Sequence, residues 1–158
     1  MALSLEFATD VPTEVSQGDL RMALDLVEVA TDTTVDGVIS LVFTDESTAR
    51  ELNHRYAGND YATDVLSFNY YEHETVEPTT DDILGEVVIC LPIAQKQAAE
   101  HNQTVRSELL LLTVHGMMHV LGFDHADTAQ KTSFAHMQSA ILSKLKIDAR
   151  DIFNGNTR

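Results

Sequence analysis

The sequence predicts an α+β fold, a single layer of about four strands in a mixed sheet packed against helices. Two patterns carry that expectation. Short β-branched or alternating runs are interleaved with helical periodicity as far as Cys90, after which helical patterns follow alone. The stretch Leu109–Leu112 with Val114 is apolar almost all round, which marks a buried helix and so a central member of the helical layer. A chain of 158 residues, 44% of them apolar, suits one domain with a sizeable core, and no repeat or low-complexity linker divides it.

Taken in order, Leu3 to Ala8 alternates apolar and polar residues as a first strand does, and Pro12 closes it. Leu20, Ala23, Leu24 and Val27 follow at i, i+3, i+4 and i+7, a helix with one buried face. Thr31 to Gly37 reads as a loop, and the β-branched run Val38 to Phe43 as a strand covered on both faces. Thr44 and Asp45 can each cap a helix from Glu46 to about Arg55, and Ala57-Gly58-Asn59-Asp60 is a turn-rich break. Val65 to Tyr70 makes a third strand, and Glu72 to Asp82 an acidic loop expected to be mobile. Leu84 to Cys90 makes a fourth strand. Pro92 fits the first turn of a helix running to about Glu100, ended by Asn102. Thr104 can cap the next helix, whose positive end takes Glu108. Gly122 stops it, and a last helix from about Thr128 to Leu145 places Phe134, Met137, Ile141 and Leu145 on one face.

The charge balance narrows the function. Ten Lys and Arg stand against 25 Asp and Glu, a net charge of −15. Broad non-specific binding to nucleic acid leans on a positive field, so DNA is not an expected partner. There is no membrane-length apolar run and no basic, apolar leader at the N-terminus, so the expected location is the cytoplasm. Cys90 is the only cysteine, which excludes an intrachain disulfide and a cysteine metal cluster.

The chemistry concentrates in His115-Gly116-Met117-Met118-His119-Val120-Leu121-Gly122-Phe123-Asp124-His125. Histidines four apart on a helix stack on one face, close enough to share an ion. His125 can join them only if the chain turns back, and Gly122 permits that turn because glycine adopts the left-handed backbone at little cost. Three neutral imidazoles suit one divalent metal, zinc best, with nickel, copper or iron open by ligand type. Three protein ligands leave a position for water or substrate, which is the pattern of a catalytic centre. The spacing is also that of metzincin proteases, but Gly116 stands where those enzymes carry the catalytic glutamate. A peptidase would therefore lack its general base.

The histidine motif, together with Leu52-Asn53, Thr63-Asp64-Val65-Leu66-Ser67-Phe68, Leu84-Gly85-Glu86-Val87-Val88-Ile89 and Glu108-Leu109, resembles the YbeY family of bacterial endoribonucleases and rRNA maturation factors. The resemblance runs from about Val38 to Ile147. It implies that His115, His119 and His125 are zinc ligands. It further implies metal-dependent cleavage of single-stranded RNA, in ribosomal RNA maturation and ribosome quality control, with ribosomal RNA or a ribosomal subunit as partner. It also makes Asp64 and Ser67 cleft residues. Two positions depart from the family pattern. Ala57 replaces an arginine that follows the aromatic, here Tyr56, and Asn102-Gln103-Thr104 replaces Gly-His-Ser. Arg55 is the nearest stand-in for that arginine, though two residues along a helix point to nearly opposite sides. The change at Ala57 implies weaker activity, and the alternative is a metal-stabilised ribosome-associated factor that binds RNA or protein and cleaves little. Asp124 is the only carboxylate inside the motif, a candidate general base or a partner to a ligand histidine.

Overall fold

The computed structural model describes residues 3–72 and 76–147. Its elements are β1 (Leu3–Phe7), α1 (Gln17–Ala30), β2 (Gly37–Thr44), α2 (Glu46–Ala57), β3 (Val65–Asn69), β4 (Ile83–Cys90), α3 (Leu91–Glu100), α4 (Val105–Val120) and α5 (Thr128–Lys144). The four strands form one sheet in the order β1-β2-β4-β3. β1, β2 and β4 run parallel, and β3 pairs with β4 antiparallel, so the sheet is mixed. The expected α+β architecture is what forms.

α4 organises the molecule. It packs on β3 and β4 and is flanked by α1, α3 and α5. Its buried residues run without a break from Glu108 to Met118. Hence its lack of an apolar stripe, since over this stretch no side of the helix faces water. α2 lies across the other face of the sheet. Successive strand residues point to opposite faces. In β3, Ser67 faces Gly116 of α4, whereas the Phe68 ring meets Tyr56 of α2 at a centroid distance of 5.4 Å.

The predicted caps form with one choice made. Asp45 rather than Thr44 caps α2 by accepting from Thr48 N, and Thr104 caps α4 by accepting from Ser107 N. α1 carries a capping box between Ser16 and Asp19, and the predicted face of Leu20, Ala23, Leu24 and Val27 is the buried one.

Several expectations shift. β3 stops at Asn69, one residue short of Tyr70. α2 continues through Ala57, so the turn-rich break begins at Gly58, the residue that takes the left-handed backbone (φ 77°). On α5 the inward positions are Phe134, Gln138, Ile141 and Leu142, with Met137 only half-buried. Phe134, Ile141 and, just past the helix, Leu145 are buried as expected, and Gln138 takes the inward place of Met137, its amide meeting His115. Part of the acidic loop expected to be mobile, residues 73–75, lies outside the described residues.

Candidate metal centre

The last two turns of α4 and the turn behind them build the site. His115 is buried, and His119 and His125 are half-buried. One nitrogen of each ring can be chosen so that all three lie within 4.8 Å of one another. The Nε2 atoms of His115 and His119 approach to 3.2 Å, as helical i, i+4 spacing predicts. Two imidazole nitrogens sharing a tetrahedral ion at about 2.0–2.1 Å each would stand roughly 3.3 Å apart, so this pair fits such an ion closely. The donor set fits too. Neutral imidazole nitrogen is a common donor for zinc and other first-row divalent ions.

His125 reaches the pair because α4 ends at Leu121 and Gly122 takes φ 98°. The amides of Gly122 and Phe123 then close the turn onto the carbonyls of His119 and Met118. Asp124 shapes the same turn, its Oδ1 accepting from the His125 amide at 2.7 Å. Phe134 of α5 backs the three rings, with centroids 4.9 to 5.5 Å away. Such ring packing holds imidazoles in place without competing for their nitrogens.

A residue not singled out from the sequence completes this layer. Gln138 of α5 is 3% exposed, and its Oε1 lies 2.9 Å from Nδ1 of His115. The clue available in the sequence was a lone glutamine between the apolar positions Phe134 and Ile141. Only the docking of α5 shows which side chain it meets.

Gly116 has a packing reason for being glycine. A Cβ there would stand 2.5 Å from Val87 Cγ1 and 3.3 Å from Ser67 Oγ. This position faces the sheet, so a side chain there would press into β4.

The remaining candidates disperse. Ser67 lies against the helix across from Gly116. Asp64, 2% exposed, sits at the opposite end of α4. Its Oδ1 accepts from Val65 N at 2.8 Å, and the Gln97 amide nitrogen donates both to Asp64 Oδ2 at 3.1 Å and to Glu108 Oε2 at 2.9 Å. Glu108 precedes His115 by seven residues, about 10 Å along a helix. Asp64 thus belongs to a buried polar network at the start of the histidine-bearing helix. Arg55 is turned to solvent and pairs with Glu51 one turn back at 2.7 Å. Asn53, fully buried, donates to the Tyr61 carbonyl at 2.8 Å and ties the loop after α2 to the helix.

Two hollows flank the metal-bearing turn. One of about 340 Å³ opens between residues 122–124 and Ala129, Ser133, Phe134 and Met137 of α5. The other, about 380 Å³, lies past the end of α4 against Asn69, Tyr71, Leu84, Val120 and Leu121.

The family model described as Endoribonuclease YbeY matches residues 6–146. An Endoribonuclease YbeY of Desulforamulus reducens is 37% identical over 139 residues, covering 85% of this chain and 91% of the relative. One of Pseudomonas putida is 32% identical, covering 92% and 89%. Among solved structures, the solution structure of a Thermotoga maritima protein superposes with a TM-score of 0.57 at 23% identity, covering 92% of each chain, a likeness of fold.

Proposed function

The chain belongs to the Endoribonuclease YbeY family, and we propose from that premise that it is a zinc-dependent endoribonuclease that cleaves single-stranded RNA in ribosomal RNA maturation and ribosome quality control. The observation that carries the reading is the three-histidine cage at the end of a buried helix, in a chain matched to the family over nearly its whole described length. In this reading His115, His119 and His125 hold the ion, and the ribosomal RNA or ribosomal subunit is the partner. A divalent ion in such a site supplies Lewis acidity and activates water at neutral pH.

The protein's own residues do the remainder. The buried α4 and the glycine turn bring the three imidazoles together before any ion arrives, which lessens the reorganisation needed when ion and substrate meet. Phe134 packs against all three rings, and in this reading the hollows beside Gly122 and Leu121 would take parts of the RNA chain that neighbour the cage. Ser67 faces Gly116 on the sheet side of the helix and in this reading would be a polar group for the cleft. Asp64 would support that cleft indirectly, through Glu108 and Gln97 at the far end of α4. Asp124, committed by one oxygen to the His125 amide, shapes the turn and is a weak candidate for general base. Arg55, paired with Glu51, is at best a peripheral contact for the RNA backbone.

Elemental analysis of protein never exposed to chelator tests the centre directly. About one equivalent of zinc is expected for a three-ligand site. The companion test is His115→Ala, which should lose both the metal and RNA cleavage. Cleavage at the parent rate would place the activity elsewhere.

A further inference from the structure

We infer that Gln138 is the positioning residue of the metal centre: its amide oxygen selects the Nδ1-protonated tautomer of His115, leaves Nε2 as the ligand atom, and does so as a neutral acceptor. The inference rests on the metal reading above and concerns how this chain tunes the site. His115 has two ring nitrogens. Nε2 faces Nε2 of His119 at 3.2 Å, and Nδ1 lies 2.9 Å from Gln138 Oε1. An amide oxygen accepts hydrogen bonds and never donates them. So the Nδ1 atom must carry the proton, and the lone pair of the neutral ring is left on Nε2, on the side where His119 stands. The contact is enclosed. Gln138 is 3% exposed and His115 1% exposed, so water does not compete for either group.

Two consequences follow from the chemistry of glutamine. First, its orientation is coupled to the ion. If the amide turned over, it would present N–H to Nδ1, which would favour the other tautomer and withdraw the Nε2 lone pair from the cage. Metal loading therefore locks the amide and, through it, α5 onto α4. Second, an amide is uncharged. Carboxylate partners raise the basicity of a ligand imidazole. A neutral amide fixes the ring without that gain, so His115 is a weaker donor than a carboxylate partner would make it.

The test uses the full chain and zinc alone, read by competition with a chromophoric chelator. Gln138→Leu keeps much of the volume and removes the acceptor, and should weaken zinc binding by about 10- to 100-fold. Gln138→Glu restores an acceptor and should bind zinc at least as tightly as the parent. Side-chain nitrogen NMR of the zinc-loaded parent should show His115 protonated at Nδ1. Hydrogen exchange in α5 should slow on zinc addition in the parent and in Gln138→Glu, and far less in Gln138→Leu. Unchanged affinity in Gln138→Leu would overturn the inference, as would Gln138→Glu binding as weakly as Gln138→Leu. Should Gln138→Leu fail to fold, the NMR tautomer and the Gln138→Glu affinity decide alone. A parent that binds no zinc would overturn the metal reading itself, which is a different result from any of these.

Discussion

Each residue around the cage is constrained by a different neighbour. At Gly116 the constraint is space. Ala there would force Val87 or the helix to shift, since the added Cβ stands 2.5 Å from a β-branched side chain with little rotamer freedom. Gly116→Ala should lose about 1–3 kcal/mol in a urea melt, the usual penalty of overpacking. Val87→Ala in the same chain should recover part of it. If Gly116→Ala is neutral, α4 is not pressed onto β4 as described. At Asp124 the constraint is a hydrogen bond that asparagine can also accept. Asp124→Asn should therefore keep its zinc and most of its cleavage rate. A fall of 10²- to 10⁴-fold in kcat with the metal retained would instead make Asp124 the general base. His115, His119, His125 and the role of Gly122 were legible beforehand, because helical spacing and a glycine bend are local properties. Gln138 was not, since its partner stands 23 residues away on another helix.

At the level of elements, one carboxylate adds a polar tie between α1 and α4, whose apolar faces already share the core. Asp19 closes the capping box with Ser16 and takes two hydrogen bonds from Arg106, both at 3.0 Å. The Arg106 guanidinium, with help from the Ser16 bonds, holds the Asp19 carboxyl below its ordinary value of 3.8, against a partial desolvation that raises it. A carboxyl lowered on folding stabilises the protein above its unfolded value, and that contribution fades as pH falls through the lower folded value. Both side chains are partly exposed, so the pair and cap together contribute on the order of 1 kcal/mol. Asp19→Asn should be less stable than the parent by that amount at pH 7, and the gap should close as pH drops below about 4. A gap that persists undiminished near pH 2 would assign the effect to packing. The buried face of α1 could be read from its periodicity. That Asp19 also reaches Arg106 could not, because 87 residues separate the two.

Over the whole molecule, the proposed ion and the fold would depend on each other. The cage takes two ligands from α4, one from the turn after it, and its backing from α5. It exists only when those parts are docked, so an ion that binds the folded form must stabilise it. Zinc at a free concentration of 100 times its Kd should add about 2.7 kcal/mol, seen as a higher Tm that a chelator reverses. His115→Ala should show no such rise. The acidic surface acts at the same scale. A net charge of −15 works against holding RNA through a broad positive field. RNA binding that weakened steeply with added salt would contradict this, because steep salt dependence requires many phosphate contacts.

By itself the sequence determined the mixed α/β composition, the buried helix, the gathering of the three histidines and the family, since each is written in spacing along one short stretch or in a string of local motifs. Tertiary structure alone decided that Gly116 is small because β4 lies against it, that Asp64 stands at the far end of the helix from the histidines, and that Gln138 meets the nitrogen of His115 turned away from His119. The physical reason is one of range. Helix and turn preferences act within a few residues, whereas close approach and buried hydrogen bonds join residues that only the packing of α4 and α5 brings together.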